Sequence, residues 1–197
     1  MASKSMKEKR SQRRKSQKTT RTLIWIGVGI LVIIFVGFIA WRIFRPASGE
    51  NIPIMANAGD HVPQDSDPGQ FNSDPPTSGP HYAQEFDAGF YDESDPEAQV
   101  PYPEGYLIHN LEHGYIIFWY NCELLNEGGC TELKNQIQGV MDEFNNFKVI
   151  GFPRSSIDVP LAMTSWGQLQ TFETFDAAAA INFIRSNQNR APEPNAP

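Results

Sequence analysis

The sequence predicts an α+β domain, a small and mostly antiparallel sheet with two helices and a long irregular loop region, preceded by one transmembrane helix. Three observations predict it. Strand-length runs rich in β-branched and aromatic residues (YIIFWY, KVIGF, PLAMTSW) are interleaved with two stretches of helical period, in the order strand, helix, strand, strand, helix. Turn-forming fragments (DSDPG, NSDPPTSGP, DESDPE, PYPEG) crowd the region before the first of these strands. From Leu23 to Trp41 the chain reads LIWIGVGILVIIFVGFIAW, nineteen residues without a charge.

At about 1.5 Å rise per residue, such a run approaches the roughly 30 Å hydrocarbon thickness of a bilayer, so residues 22–45 read as one membrane-spanning helix. Trp25 and Trp41 stand near its ends, where indole rings favour the headgroup level. Residues 1–21 hold nine Lys or Arg against one acid and almost nothing apolar; this composition cannot pack and is expected to be a disordered basic tail. The positive-inside rule keeps that tail in the cytoplasm and sends the C-terminal domain out of the cytoplasmic membrane. A cleaved signal peptide would have a shorter apolar core followed by small residues, whereas bulky and charged residues follow this one in GFIAWRIFRPASG.

The charge balance then inverts. Of 16 Lys and Arg, nine lie in the tail and Arg42 and Arg45 flank the helix, leaving five against 22 acids beyond Pro46. Phosphate binding needs the opposite sign, which excludes a nucleic-acid role for the outer domain. Both cysteines, Cys122 and Cys130, fall there and enclose ELLNEGG, whose Gly128-Gly129 lets the chain turn back. In an oxidising compartment this spacing predicts a short-loop disulfide.

Residues 46–70 read as a linker, residues 71–187 as the domain and residues 188–197 as a disordered tail. Between 71 and 106 the chain carries seven aromatic residues, too many for a free linker, so this part is expected to wrap the core as ordered irregular chain. Residues 115–120 predict a buried strand. In TELKNQIQGVMDEF, Leu133, Ile137, Val140, Met141 and Phe144 recur at helical spacing behind Thr131 as N-cap. Residues 148–152 and 160–166 read as two further strands, with LQTFETF extending the second, and Asp176 caps the helix AAAAINFIRSN.

The chemistry-bearing residues are histidines. His109 and His113 in HNLEHG are four apart: on a helix both imidazoles lie within about 6 Å along the axis, on a strand about 13 Å apart, so a shared ion requires a turn of helix or a tight loop. Gly114 suits a helix stop before the strand that follows. His81, in the rigidly punctuated loop PPTSGPHY, is a third candidate ligand, and Met163 in PLAMTSW a fourth. An imidazole set with a thioether favours copper, whereas one completed by water or carboxylate favours zinc. Glu112 is read foremost as orienting an imidazole, with a direct ligand and a plain surface acid as the alternatives. His61 reads as a solvated residue of the linker, and Met163 competes with the simpler role of core filler.

The expected function is therefore metal handling, copper before zinc, by a membrane-anchored domain on the outer side. A second reading makes it a non-catalytic interaction or scaffold domain that meets a membrane or exported protein, with the histidines fastening the aromatic loop. A third follows from His109-Asn110-Leu111-Glu112-His113, which matches the H-x-x-E-H pattern of zinc peptidases; that motif needs a long helix, which Gly114 and the next strand cut off. No serine or cysteine nucleophile and no phosphate loop stands in a recognisable setting, so the enzyme reading rests on the histidines alone.

With PPTSGPHY, HNLEHG ahead of a strand, and PLAMTSW together, the chain resembles the bacterial membrane proteins grouped as domain of unknown function 3105, over about residues 65–187. The resemblance implies a single-pass anchor with an exported domain, and the family name carries no established activity.

Overall fold

The computed structural model describes residues 21, 23–40 and 46–196. The basic tail, Arg21 apart, and Trp41, Arg42 and Arg45 lie outside the described residues. Two compact units are present, Met1–Pro46 and Ala47–Pro197. In the first, helix α1 (Leu23–Ala40) has a mean hydropathy of 2.9 over 18 residues and is long and apolar enough to cross a membrane.

The second unit is built on a mixed six-stranded sheet: β1 (Glu50–Asn51), β2 (Gly89–Phe90), β3 (Ile116–Tyr120), β4 (Val149–Pro153), β5 (Leu161–Ser165) and β6 (Gln168–Phe172), in the order β1-β6-β5-β3-β4-β2. Three helices join it: α2 (Glu104–Glu112), α3 (Glu127–Glu143) and α4 (Ala177–Asn187). The pairs β1/β6, β6/β5 and β5/β3 are antiparallel, as expected, while β3/β4 and β4/β2 are parallel. The parallel step follows from α3, which carries the chain from the end of β3 back to the start of β4. Within LQTFETF, residues 169–172 belong to a strand of their own, β6, which pairs with β5 along its whole length.

Every residue of β3 is buried, which explains its unbroken apolar reading. Ile116, Phe118 and Tyr120 face a core completed by Leu133, Ile137, Val140 and Met141 of α3 and Phe183 and Ile184 of α4. Ile117 and Trp119 face the other way, into a second core with Leu107 and Leu111 of α2 and with Tyr82 and Phe86 of the irregular chain. Fully burying each such side chain stabilises by about 1.5–3 kcal/mol.

Four boundaries move from their sequence readings, three because a tertiary partner outweighs local composition and one, the start of α3, because a neighbouring residue caps the helix earlier. Helix α3 starts at Glu127, not after Thr131: the Asn126 side chain accepts from the Gly129 amide at 2.8 Å, a stronger cap, and the Thr131 hydroxyl instead donates to the Glu127 carbonyl at 3.0 Å. Gly128 and Gly129 thus lie in the first helical turn, beside the observed Cys122–Cys130 disulfide. Residues 47–70, read as a linker, belong to the domain: β1 joins the sheet edge, Ala58 is buried, and the Tyr82 hydroxyl donates to the Ser66 carbonyl at 2.6 Å. The tail, read as disordered, folds back over α2 through bonds from the Asn189 amide to the Gly114 carbonyl and from the Glu193 amide to the Glu112 carbonyl, both 3.0 Å. The helix at HNLEHG is nine residues long rather than one turn, because Leu107 and Ile108 of the preceding segment find core together with Leu111.

Candidate metal centre

Helix α2 opens behind Pro103, with Glu104 in its first turn, a favourable start for the helix dipole. It places His109 and Glu112, three apart, and His113, four apart from His109, on neighbouring positions of one face. The His109 and His113 ring centroids are 4.3 Å apart, as the helical alternative requires. The helix ends at Gly114, whose φ of +84° suits glycine and whose Cα lies so close to Asn189 that a Cβ would come within 2.7 Å of that residue's Cα.

The loop PPTSGPHY is held from inside by Asn72, whose amide donates to the Thr77 and Ser78 hydroxyls at 2.7 and 2.9 Å and whose oxygen accepts from both backbone amides at 3.2 Å. Thr77, Ser78 and His81 are fully buried as a result. Loop and helix are joined through Tyr82: its amide donates to the Gly105 carbonyl at 2.9 Å, and its carbonyl accepts from His109 Nδ1 at 2.7 Å. The Tyr82 ring occupies the space where any Cβ at position 105 would stand, so only glycine lets α2 approach the loop. A third segment completes the site. His61 pairs with His81 as a parallel β-bridge, with the Val62 amide donating to the His81 carbonyl at 2.8 Å and the His81 amide to the Asp60 carbonyl at 3.1 Å.

These three segments bring His61, His81 and His109 into a triangle with ring centroids 4.9, 5.2 and 5.5 Å apart. One donor atom from each, with a carboxylate oxygen of Glu112, all lie within 4.8 Å of one another. Four donors around zinc at bond lengths near 2.0–2.1 Å stand about 3.4 Å apart, so small side-chain rotations would close this set on one ion.

The hydrogen bonds sharpen the chemistry. His81 Nδ1 faces the Gly79 carbonyl at 2.9 Å, an oxygen that only accepts, so Nδ1 carries a proton and donates. Its Nε2 faces Glu112 Oε2 at 3.0 Å in a buried setting. A neutral imidazole with its proton on Nδ1 would set a lone pair against a carboxylate, so a second proton or a metal cation must join the pair. His109 is likewise anchored through Nδ1, which leaves Nε2 as its lone-pair nitrogen. Burial above all, then the neighbouring His113, pushes its pKa from 6.5 down to about 4, against the Tyr82 carbonyl, which favours the protonated ring. At neutral pH His109 is therefore a neutral imidazole with a lone pair on Nε2.

His113 and Met163 stand apart from this set. His113 Nδ1 donates to Glu85 Oε2 at 2.8 Å, and its Nε2 lies 3.7 Å from Glu193 Oε2. Its two nitrogens thus face carboxylates on opposite edges of the ring. His109 also lies close to Glu85 and His113, but with one free nitrogen it can serve one set only. Met163 is fully buried in the α3/α4 core, on the sheet face opposite Trp119 and Thr164, whose side chains bond each other on the α2 side at 2.7 Å. Period-two alternation along β5 therefore removes Met163 from the imidazoles and leaves it as core. His61, read as a solvated linker residue, is exposed yet belongs to the cluster. No local signal distinguishes it; only its bridge to His81 does.

The fold and site define a class: an α+β domain in which three imidazoles and a carboxylate gather where a helix, a loop and the N-terminal segment of the domain meet. The chain belongs to the family described as protein of unknown function (DUF3105), which residues 61–197 match. That range begins at His61 and takes in the tail that carries Glu193. No curated protein and no solved structure matches the chain.

Proposed function

We propose that this protein is a membrane-anchored, extracytoplasmic metal-handling protein that holds one divalent transition-metal ion through His61, His81, His109 and Glu112. The observation that carries the reading is the buried His81–Glu112 contact at 3.0 Å, where Nδ1 is fixed as the donor to Gly79 and a second proton or a cation must stand between Nε2 and the carboxylate. Of the two, a metal ion also engages the imidazoles of His61 and His109 beside it. With Met163 out of reach the donors are nitrogen and oxygen only, which moves the preference from copper towards zinc, and within copper towards Cu(II). The basic tail and apolar helix support an outer location for the domain, through the positive-inside rule. The disulfide accords with an oxidising compartment.

Full-length protein purified in detergent should carry close to one zinc or copper per chain by elemental mass spectrometry, and His81→Ala should lose it. Protein that arrives metal-free and ignores added zinc and copper would sink the reading.

One observation favours the scaffold reading: His109 Nδ1 holds the Tyr82 carbonyl, and His81 Nδ1 that of Gly79, so two imidazoles do fasten the loop. Under that reading His81→Ala lowers the unfolding temperature in chelator as much as in zinc. The peptidase reading is less well served, since Glu112 is engaged with His81 and His113 is turned to Glu85.

A further inference from the structure

The geometry points to His61 as the exchangeable ligand of this centre, the residue through which an ion is loaded and released, with His81, His109 and Glu112 as its lasting seat. This rests on the metal-binding reading above and adds a direction of traffic to it.

Three observations set His61 apart. It is exposed, while the other three are buried. His81 and His109 each donate Nδ1–H to a backbone carbonyl, which fixes the ring and aims Nε2 inward, as outer partners of metal-bound histidines do. No described residue hydrogen-bonds either ring nitrogen of His61, whose ring only packs against His81 and His109 at centroid distances of 4.9 and 5.5 Å. Its backbone, by contrast, is fixed beside His81 by the bonds at Asp60 and Val62. The ring can therefore swing outward about its own side-chain bonds without moving the chain, a motion of picoseconds to nanoseconds for an exposed side chain. Swinging His81 or His109 away would instead break a buried hydrogen bond to a backbone carbonyl, and Glu112 is itself buried.

Exchange then follows by substitution. A donor atom from outside, an imidazole, carboxylate or thiolate of an acceptor protein or a chelator, bonds the ion as its bond to His61 breaks. The imidazole leaves neutral, the ion keeps its charge, and no oxidant or reductant is needed. The incoming donor reaches the ion from the His61 side because the remaining ligands are enclosed. The acceptor class implied is a protein offering such a donor at an accessible position.

The test is zinc release from full-length protein in detergent micelles, followed with a chromogenic chelator over a range of concentrations. Wild-type release should quicken as chelator concentration rises. His61→Ala should still bind one zinc but release it faster by on the order of tenfold or more. His81→Ala should fail to hold zinc at all. Unchanged thermal unfolding of His61→Ala in excess metal chelator confirms that the fold is intact. Release from His61→Ala at the wild-type rate, or loss of zinc as complete as in His81→Ala, overturns the inference while leaving metal binding standing. Wild-type protein that takes up no zinc overturns both.

Discussion

The two faces of the sheet are organised on opposite principles. Towards α3 and α4 the strands present Ile116, Phe118, Tyr120, Met163 and Phe172, and the helices answer with aliphatic and aromatic side chains. Towards α2 the same strands present Ile117, Trp119 and Ile150, but the covering layer is irregular chain and a short helix. Beyond that second core, the layer buries His81, His109, Asn110, Glu112 and His113. Regular elements cover the first face because apolar burial is non-directional and asks only for volume. The second face buries polar groups that must meet their partners at fixed points, and loops punctuated by proline and glycine, together with α2, hold them there. One face stabilises and the other positions.

Substitutions on each side should separate these roles. Phe183→Ala, in the α3/α4 core, should cost about 3–5 kcal/mol in denaturant unfolding while the metal-to-protein ratio of the folded fraction stays at the wild-type value. A lost metal at full folding would break the division. Glu112→Gln should do the reverse. Its side-chain amide can donate to His81 Nε2, so metal-free stability should stay within about 1 kcal/mol of wild type, while zinc affinity by titration falls by about 100-fold or more.

The polar face should also respond to acid. Folded His109 titrates at about 4 and the unfolded residue near 6.5, so the unfolded chain binds more protons between these values. Its contribution to stability is complete above pH 6.5 and is lost as pH falls towards about 4. Melting temperatures measured in chelator from pH 7.5 downward should show that slope, reduced in His109→Gln; an unchanged slope would remove His109 as its source. The smallest effect is expected at Met163→Leu, under about 1.5 kcal/mol with metal content unchanged, since the residue only fills volume. A drop in bound metal there would restore Met163 as a ligand.

The strands and the long helices were legible because their residues repeat with the period of their element: YIIFWY as β3, Leu133 to Met141 as one face of α3, Asp176 as the cap of α4. Helix α2 was half legible. Its two histidines at helical spacing were visible, but Pro103 and Gly105 hid the turns before them, and Gly105 is explained only by the Tyr82 ring against it. His61 was read as solvated, since exposure and turn-rich neighbours say nothing about a β-bridge to a residue twenty positions on. Met163 had the right chemistry and the wrong face, a distinction that depends on strand register.

The sequence by itself determined the apolar helix, the acidic character of the domain, the disulfide pair and the order of the main elements, and it singled out His81, His109 and Glu112 as candidates. Each is local, set by composition, period or short spacing. Only the tertiary structure decided that His61 completes the cluster, that His113 turns away to Glu85 and Glu193, and that the segments read as linker and tail are parts of the fold. Those outcomes depend on which distant segments meet, and segments meet where buried surface and paired backbone groups outweigh the chain entropy lost, a balance that no short window of sequence contains.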